Sequence, residues 1–391
     1  MAVRFSQMKI FLPDYHGGSI VNLMATIARA CGTGETLYPP LAALADCDLQ
    51  RARNIILIVI DGLGYNYLMQ HGSRLREHVK ARLTSLFPST TATAITAFMT
   101  GVPAQQHGLT GWFTWFKETG SVIAPLPFTA RHNGRPLNES GIHPAALFPT
   151  SPLYDSFKVP TVVISPKNIV GSPFNVRHCG RARRIGYDGS RQLFREIEAA
   201  AKANRNRNFI YAYYPELDSL AHVHGIASWQ VADLFAKLDS LFGELLSAVS
   251  GSESAILVCA DHGFVDIEHT IELEKHPALA QTLILPLCGE RRIAYCYVRR
   301  ECETRFKTYV LEHLSQYAEL RESRALIDEG WFGLGTAHPN LCERIGDYTL
   351  VMKGRYAIKD WVLGERRHHH VGAHGGVSED EMFVPLVVAF P

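Results

Sequence analysis

The chain has 391 residues and a mass of 43.5 kDa, well beyond the roughly 150 residues usual for one domain, so it can bury a large core and carry an insert or second lobe. With 39 Lys+Arg against 38 Asp+Glu the formal charge is +1, so no global charge directs it to a nucleic-acid polymer or an anionic membrane. Hydrophobic residues at 47% and charged residues at 20% exclude disordered, collagenous and coiled-coil chains, and apolar runs such as 55–60 are far too short for a membrane span.

The N-terminal stretch 1–18 shows no apolar segment followed by a small-residue cleavage site, so a cytoplasmic location is expected. Residues 1–50 read as a lead-in with one short helix-like stretch. Residues 55–60 are continuously aliphatic and mostly β-branched, the pattern of a parallel strand buried on both faces. Further strands are predicted at 161–164, 209–213, 255–259, 292–298, 348–352 and 384–390, and helices at 191–203, 230–249 and 304–320. Strands alternating with helices predict an α/β fold with a central, mostly parallel sheet. Segment 113–175 is rich in Pro, Gly and aromatics with little periodicity, and reads as a long excursion beside the site. Residues 270–360 interrupt two histidine-bearing segments and are expected to form an inserted cap, leaving 1–269 and 361–391 as the catalytic core. The eight cysteines lack a CxxC pair and fit reduced thiols.

Chemistry collects in four places. Asp61 directly follows the first buried strand, where an α/β sheet opens its ligand crevice. Residues 87–101 are a hydroxyl-rich entry into a small-residue helix that stops at Gly101; a hydroxyl there faces free N–H groups and the positive end of the helix dipole. Asp218 and His222 share a helix face at i,i+4, and Asp261 with His262 stands at another strand end. His374 lies in the glycine-flanked run 372–376 before the last strand. Three Asp and three His, with no thiolate, suit two zinc-like ions with open positions, as hydrolytic sites require. Three carboxylates (−3) against two divalent ions (+4) leave +1, which suits a phosphodiester monoanion better than a monoester dianion. A dinucleotide-binding reading fails, because neither GxGxxG nor GxxxxGK[ST] follows the first strand.

Over about residues 54–110, 208–225, 255–266 and 372–390 this arrangement resembles the alkaline phosphatase superfamily, in its type I phosphodiesterase/nucleotide pyrophosphatase branch. The resemblance implies an alkaline-phosphatase-like sandwich, a central mostly parallel sheet flanked by helices. In that branch the nucleophile lies nine residues before the Thr of a Thr-Gly pair, so Thr100-Gly101 selects Thr91 over Ser89 and Thr90. By the same resemblance Asp61, Thr91, Asp261 and His262 hold one metal, and Asp218, His222 and His374 the other. The implied activity is a two-metal hydrolysis of phosphodiester or phosphoanhydride bonds through a phospho-threonine, with zinc favoured by the three imidazoles. Other chemistries of the same fold are phosphomonoester and phosphonate hydrolysis, and a non-catalytic metal-binding module is the alternative class. The implied partner is a small anionic phosphoester, with no nucleic-acid polymer and no membrane span; self-association is left open. Two departures stand out: Ala-Thr-Ala follows the nucleophile where the family has Phe-Pro-Asn, and Trp112 stands where an Asn would donate to a phosphoryl oxygen. Arg181, Arg183 and Arg184 are candidates for an anionic leaving group, Trp112, Trp115 and Phe116 for stacking, and one of His368, His369 and His370 for a substrate contact.

Overall fold

The computed structural model describes residues 9–203, 206–365 and 367–391. The N-terminal stretch examined for a leader falls partly outside them. Seven strands form the central sheet in the order Val79–Thr84, Phe383–Ala389, Ser254–Cys259, Asn54–Ile60, Asn208–Tyr214, Thr161–Pro166 and Arg183–Tyr187. All pairings from Ser254–Cys259 to Arg183–Tyr187 are parallel, and Phe383–Ala389 runs antiparallel to both of its neighbours. The three middle parallel strands are buried at every position, which is why their sequences are unbroken apolar runs rather than alternating ones. Each fully buried Ile or Leu there contributes about 1.5–3 kcal/mol. The outermost strands, VKARLT and RRIGY, carry exposed Lys and Arg that discourage edge pairing, and that same composition hid them from the sequence reading.

Helices flank this sheet. Ile20–Ala30 packs on Thr91–Thr100, whereas Ser190–Ala203, Glu216–His224 and Trp229–Ala248 form a second group. The expected helix 304–320 is shorter. Glu303–Tyr309 passes into a wider turn at Val310–Leu314, and Ala318–Glu322 is a strand paired antiparallel with Tyr348–Met352. Cross-strand pairing there overrides the local helical periodicity. The excursion at 113–175 is also more regular than expected, with a three-stranded sheet from Thr114–Phe116, Ser121–Ala124 and Thr129–Ala130.

A separate four-stranded antiparallel sheet runs Cys288–Gly289, Ile293–Cys296, Tyr348–Met352, Ala318–Glu322, with an apolar cluster of its own around Phe306, Leu314 and Leu350. Its first hairpin reaches the main body. Gly289 exchanges backbone hydrogen bonds with Phe113 (2.6 and 3.2 Å), and Arg292 forms a two-pronged ion pair with Glu381 (3.0 and 2.9 Å) in which neither side chain meets solvent. Glu381 also accepts from the Gly376 N–H (2.8 Å) and the Ser378 hydroxyl (2.6 Å). Burial alone would push its carboxyl up, but Arg292 and these donors hold it below the usual range.

Replacing Glu381 by Gln leaves the Arg292 guanidinium buried without a counter-charge, and a loss of about 3–5 kcal/mol is expected in urea unfolding. A loss below about 1 kcal/mol would show that the pair is not what joins the hairpin to the main body.

Candidate metal centre

The register of the sheet brings the site together. Ile60 pairs with Tyr214 and Val59 with Cys259, so three parallel strands end at one level. Asp61 leaves the first directly, Asp218 lies on the helix Glu216–His224 after the second, and Asp261-His262 follows the third. Phe383–Ala389 begins at this edge, which puts His374 upstream of it, and Val79–Thr84 ends there, which delivers the chain to Thr91. Gly62, with φ of +76°, admits Asp218; a Cβ on it would lie 3.2 Å from the Asp218 Cα.

Thr90 is the N-cap of helix Thr91–Thr100, and Gly101 closes it in the left-handed conformation with φ of +74°. Thr91 therefore stands in the first turn, where N–H groups lack intrahelical acceptors. Its hydroxyl lies 3.2 Å from Nε2 of His262.

The three histidines share one arrangement. Nδ1 faces a backbone carbonyl in each: Gly263 for His262 (2.9 Å), Gly372 for His222 (3.0 Å) and Ser89 for His374 (3.2 Å). A carbonyl can only accept, so Nδ1 carries a proton in each ring and Nε2 is the nitrogen that presents a lone pair when the ring is neutral. Each Nε2 points at carboxylate oxygen. His262 lies 3.2 Å from Asp61 Oδ1 and 3.4 Å from Asp261 Oδ2, while Asp218 Oδ1 is 3.4 Å from His222 and 3.6 Å from His374. Those same three oxygens are buried without a hydrogen-bond donor. The other oxygens of Asp61 and Asp261 are satisfied: Tyr213 donates its hydroxyl to Asp61 Oδ2, and the N–H groups of Gly62 and His262 serve Asp261 Oδ1 (3.1 and 2.9 Å).

Lone pairs facing lone pairs at these distances repel unless a proton or a cation lies between them. The donor set thus fits divalent metal ions, and it falls into two overlapping groups, Asp61/Asp261/His262 and Asp218/His262/His374. Burial and the neighbouring Asp218 push the Asp61 carboxyl well up; burial and Asp61 do the same to Asp261; burial pushes Asp218 to about 7. Burial pulls His222 down to about 4 and His374 well below the usual imidazole range. Neutral imidazoles beside destabilised carboxylates make a receptor for added positive charge.

All seven residues singled out in the sequence, Asp61, Thr91, Asp218, His222, Asp261, His262 and His374, lie around this one edge. Beside them opens a cavity of about 360 Å³ whose other walls include Trp112, Arg131, Glu290, Arg291 and Lys359. Arg181, Arg183 and Arg184 do not line it; Arg181 binds Asp155, and the other two lie on the outer strand. Trp112 and Phe113 line it, as do His368 and His370, whereas Trp115 is outside and Phe116 is buried beneath Arg344. Sequence reading missed Arg131, Glu290, Arg291, Lys359 and Tyr213. Glu290 accepts from the Thr90 hydroxyl and the Trp112 N–H, both at 2.6 Å, and burial pushes its carboxyl up to about 7.

Comparison with known proteins agrees with this geometry. The family model for type I phosphodiesterase / nucleotide pyrophosphatase matches residues 55–376. No curated protein sequence matches the chain. Among solved structures, murine ectonucleotide pyrophosphatase/phosphodiesterase 5 is similar with a TM-score of 0.63 at 13% identity, covering 86% of this chain and 88% of that one. An inactive Thr-to-Ala variant of the murine protein, in complex with AMP, is similar with a TM-score of 0.63 at 14% identity over 85% and 87%. Phosphonoacetate hydrolase from Sinorhizobium meliloti 1021, in complex with phosphonoacetate, gives 0.60 at 16% over 86% and 90%. At these identities the likenesses establish the fold.

The raised carboxyls fix the sign of a pH effect. An Asp whose folded pKa lies above its unfolded value of about 4 adds stability below that value, and the contribution is lost as pH rises through the folded pKa. The depressed His222 and His374 act in the opposite sense up to the unfolded imidazole value of about 6.5, so chelated protein is expected to lose thermal stability from about pH 6.5 upward, through about pH 7 where Asp218 ionises, and added zinc should raise Tm most at the alkaline end. Melting curves across pH, with chelator and with zinc, measure this; a zinc effect independent of pH would contradict it.

Proposed function

Because the chain belongs to the type I phosphodiesterase / nucleotide pyrophosphatase family, we propose that it is a two-metal hydrolase in which Thr91 attacks phosphorus in a small phosphodiester or phosphoanhydride. The observation that carries this reading is the gathering of three donor-less carboxylate oxygens and three imidazoles around the sheet edge where Thr91 stands at a helix N-terminus, its hydroxyl 3.2 Å from His262 Nε2. Asp61, Thr91, Asp261 and His262 would hold one ion and Asp218, His222 and His374 the other, with zinc favoured by the imidazoles. When bound, the ions supply the positive charge that lowers the Thr91 hydroxyl pKa and offsets charge developing on the phosphoryl and leaving oxygens.

The chain's own groups do the rest. First-turn N–H groups of helix Thr91–Thr100 face the incoming phosphoryl oxygens, and the dipole favours negative charge there. The carbonyls of Gly263, Gly372 and Ser89 hold the imidazole protons on Nδ1 and so fix the direction of each Nε2. Thr91 Oγ1 gives its proton to water and forms a bond to phosphorus as the bond to the leaving oxygen breaks, and the leaving group departs with the bonding pair. Water then cleaves the phospho-threonine from the opposite side and returns the proton to Thr91. The inactive Thr-to-Ala variant among the structural relatives supports a threonine in this role.

Residues 270–360 act in this reading as a cap, since Glu290, Arg291 and Lys359 from that stretch line the cavity. A second reading, phosphonate hydrolysis, is favoured by the likeness to phosphonoacetate hydrolase together with the Arg291 guanidinium in the cavity wall. All eight cysteines are free of disulfides, which supports a reducing, cytoplasmic setting. No helix among the described residues is long and apolar enough to cross a membrane.

The test compares wild type and Thr91→Ala on bis(p-nitrophenyl) phosphate and p-nitrophenyl phosphate after chelation and zinc re-addition. Zinc-restored diester cleavage that falls by on the order of 10³ or more in the variant is expected, with a phosphoprotein trapped at Thr91 by rapid quench. A fully active Thr91→Ala enzyme would remove the proposed nucleophile.

A further inference from the structure

We propose that Glu290 sets the charge of the phosphoryl group this site accepts: it admits the monoanion of a phosphodiester and disfavours the dianion of a phosphomonoester or phosphonate. The proposal rests on the two-metal reading above and names the substrate class for it.

The Glu290 carboxylate consumes donors that would otherwise face a phosphoryl oxygen. Trp112 occupies the position where a side-chain amide was expected, and its backbone N–H, together with the hydroxyl of Thr90 next to the nucleophile, donates to Oε1 of Glu290 at 2.6 Å. Both of these donors go to Oε1, and Glu290 lines the cavity beside Thr91. Where it is ionised, above about pH 7, the carboxylate therefore places a negative charge at the phosphoryl end.

The position is built rather than incidental. Glu290 sits on the tight turn between Cys288–Gly289 and Ile293–Cys296, with its N–H on the Ile293 carbonyl (2.7 Å). Gly289 on one side is fastened to Phe113, and Arg292 on the other to Glu381. Gly375, with φ of +108°, makes the room, since a Cβ there would lie 2.7 Å from the Glu290 Cβ.

Charge counting gives the consequence. Three aspartates and two divalent ions leave +1; Glu290 reduces this to zero before Thr91 ionises. Bound diester then brings the site to −1 and bound monoester dianion to −2, and both fall by a further unit when Thr91 ionises. Of the nearby cations, Arg291 attracts the Glu290 carboxylate and offsets part of its charge. The Arg291 guanidinium turns to the His368 carbonyl (3.4 Å), while Arg131 and Lys359 are paired with Asp360 and Glu365.

Glu290→Gln isolates the charge, because the amide oxygen can still accept from Thr90 and Trp112. With zinc-loaded protein of verified metal content, the ratio of kcat/KM for p-nitrophenyl phosphate over bis(p-nitrophenyl) phosphate is expected to rise about tenfold, on the order of one nearby unit charge in a partly screened site. Calorimetric Kd for inorganic phosphate near pH 8, where it is a dianion, should fall by a similar factor. Glu290→Ala should shift both quantities the same way. An unchanged ratio and phosphate affinity would overturn the proposal, and so would an equal loss on both esters, which would reduce Glu290 to a support for Thr90. Wild type inactive on both esters would instead count against the hydrolase reading, while the phosphate titration still reports on Glu290.

Discussion

The structure turns on an electrostatic conflict placed at one edge of a sheet. Three carboxylate oxygens are buried without donors, and each faces an imidazole nitrogen whose proton is committed elsewhere. Removing a carboxylate from water costs several kcal/mol even after relaxation, and here none of the usual compensations is present at the oxygens in question. Such an arrangement persists only if the scaffold prevents the groups from moving apart. That resistance comes from the three fully buried parallel strands, whose aligned ends fix the starting points of Asp61, Asp218 and Asp261. The large apolar core is thus what permits a receptor for cations to be held ready.

A second level of support controls direction rather than position. Two of the three imidazoles are oriented by carbonyls distant in sequence, Gly372 for His222 and Ser89 for His374, and the third, His262, by that of its neighbour Gly263. Ser89 is itself fastened, its hydroxyl donating to the Gly376 carbonyl at 2.7 Å. Gly376 in turn donates to Glu381, which is locked to Arg292. The loop before Thr91, His374 and the hairpin that carries Arg292 therefore form one hydrogen-bonded chain. A disturbance at the Arg292–Glu381 pair is expected to reach the orientation of His374 before it reaches the sheet.

How much of this could be read in advance depended on sequence distance. Asp61, Asp261 and His262 were legible because each follows a buried strand directly, and Asp218 with His222 because four residues make one helical turn. Thr91 was legible from the hydroxyl-rich entry and the Gly101 stop, sharpened by the family spacing. Glu290 had no such signal. It meets Thr90 across 200 positions in the chain and Trp112 across 178, so only the fold reveals it. Arg131 and Lys359 are equally nonlocal, and the arginine cluster at 181–184 drew attention by local density while lying on the outer side. The helix expected through 320 failed for a related reason: Ala318–Glu322 satisfies its backbone by pairing with a distant strand.

One tight turn carries three charged residues in succession, and each faces a different part of the molecule. Glu290 meets the nucleophile loop, Arg291 the carbonyl of His368, and Arg292 the buried Glu381. Backbone geometry explains how consecutive side chains can diverge in this way, since a turn between paired strands splays its residues while the flanking hydrogen bonds hold them in place. The outcome is that substrate contact and structural attachment share a single short segment. A change that loosens Arg292 will also displace Glu290 from Thr90, whereas a change of charge at Glu290 that keeps its acceptor oxygen leaves the attachment intact. Selectivity at this site is therefore separable from stability at the first position of the turn and inseparable from it at the third.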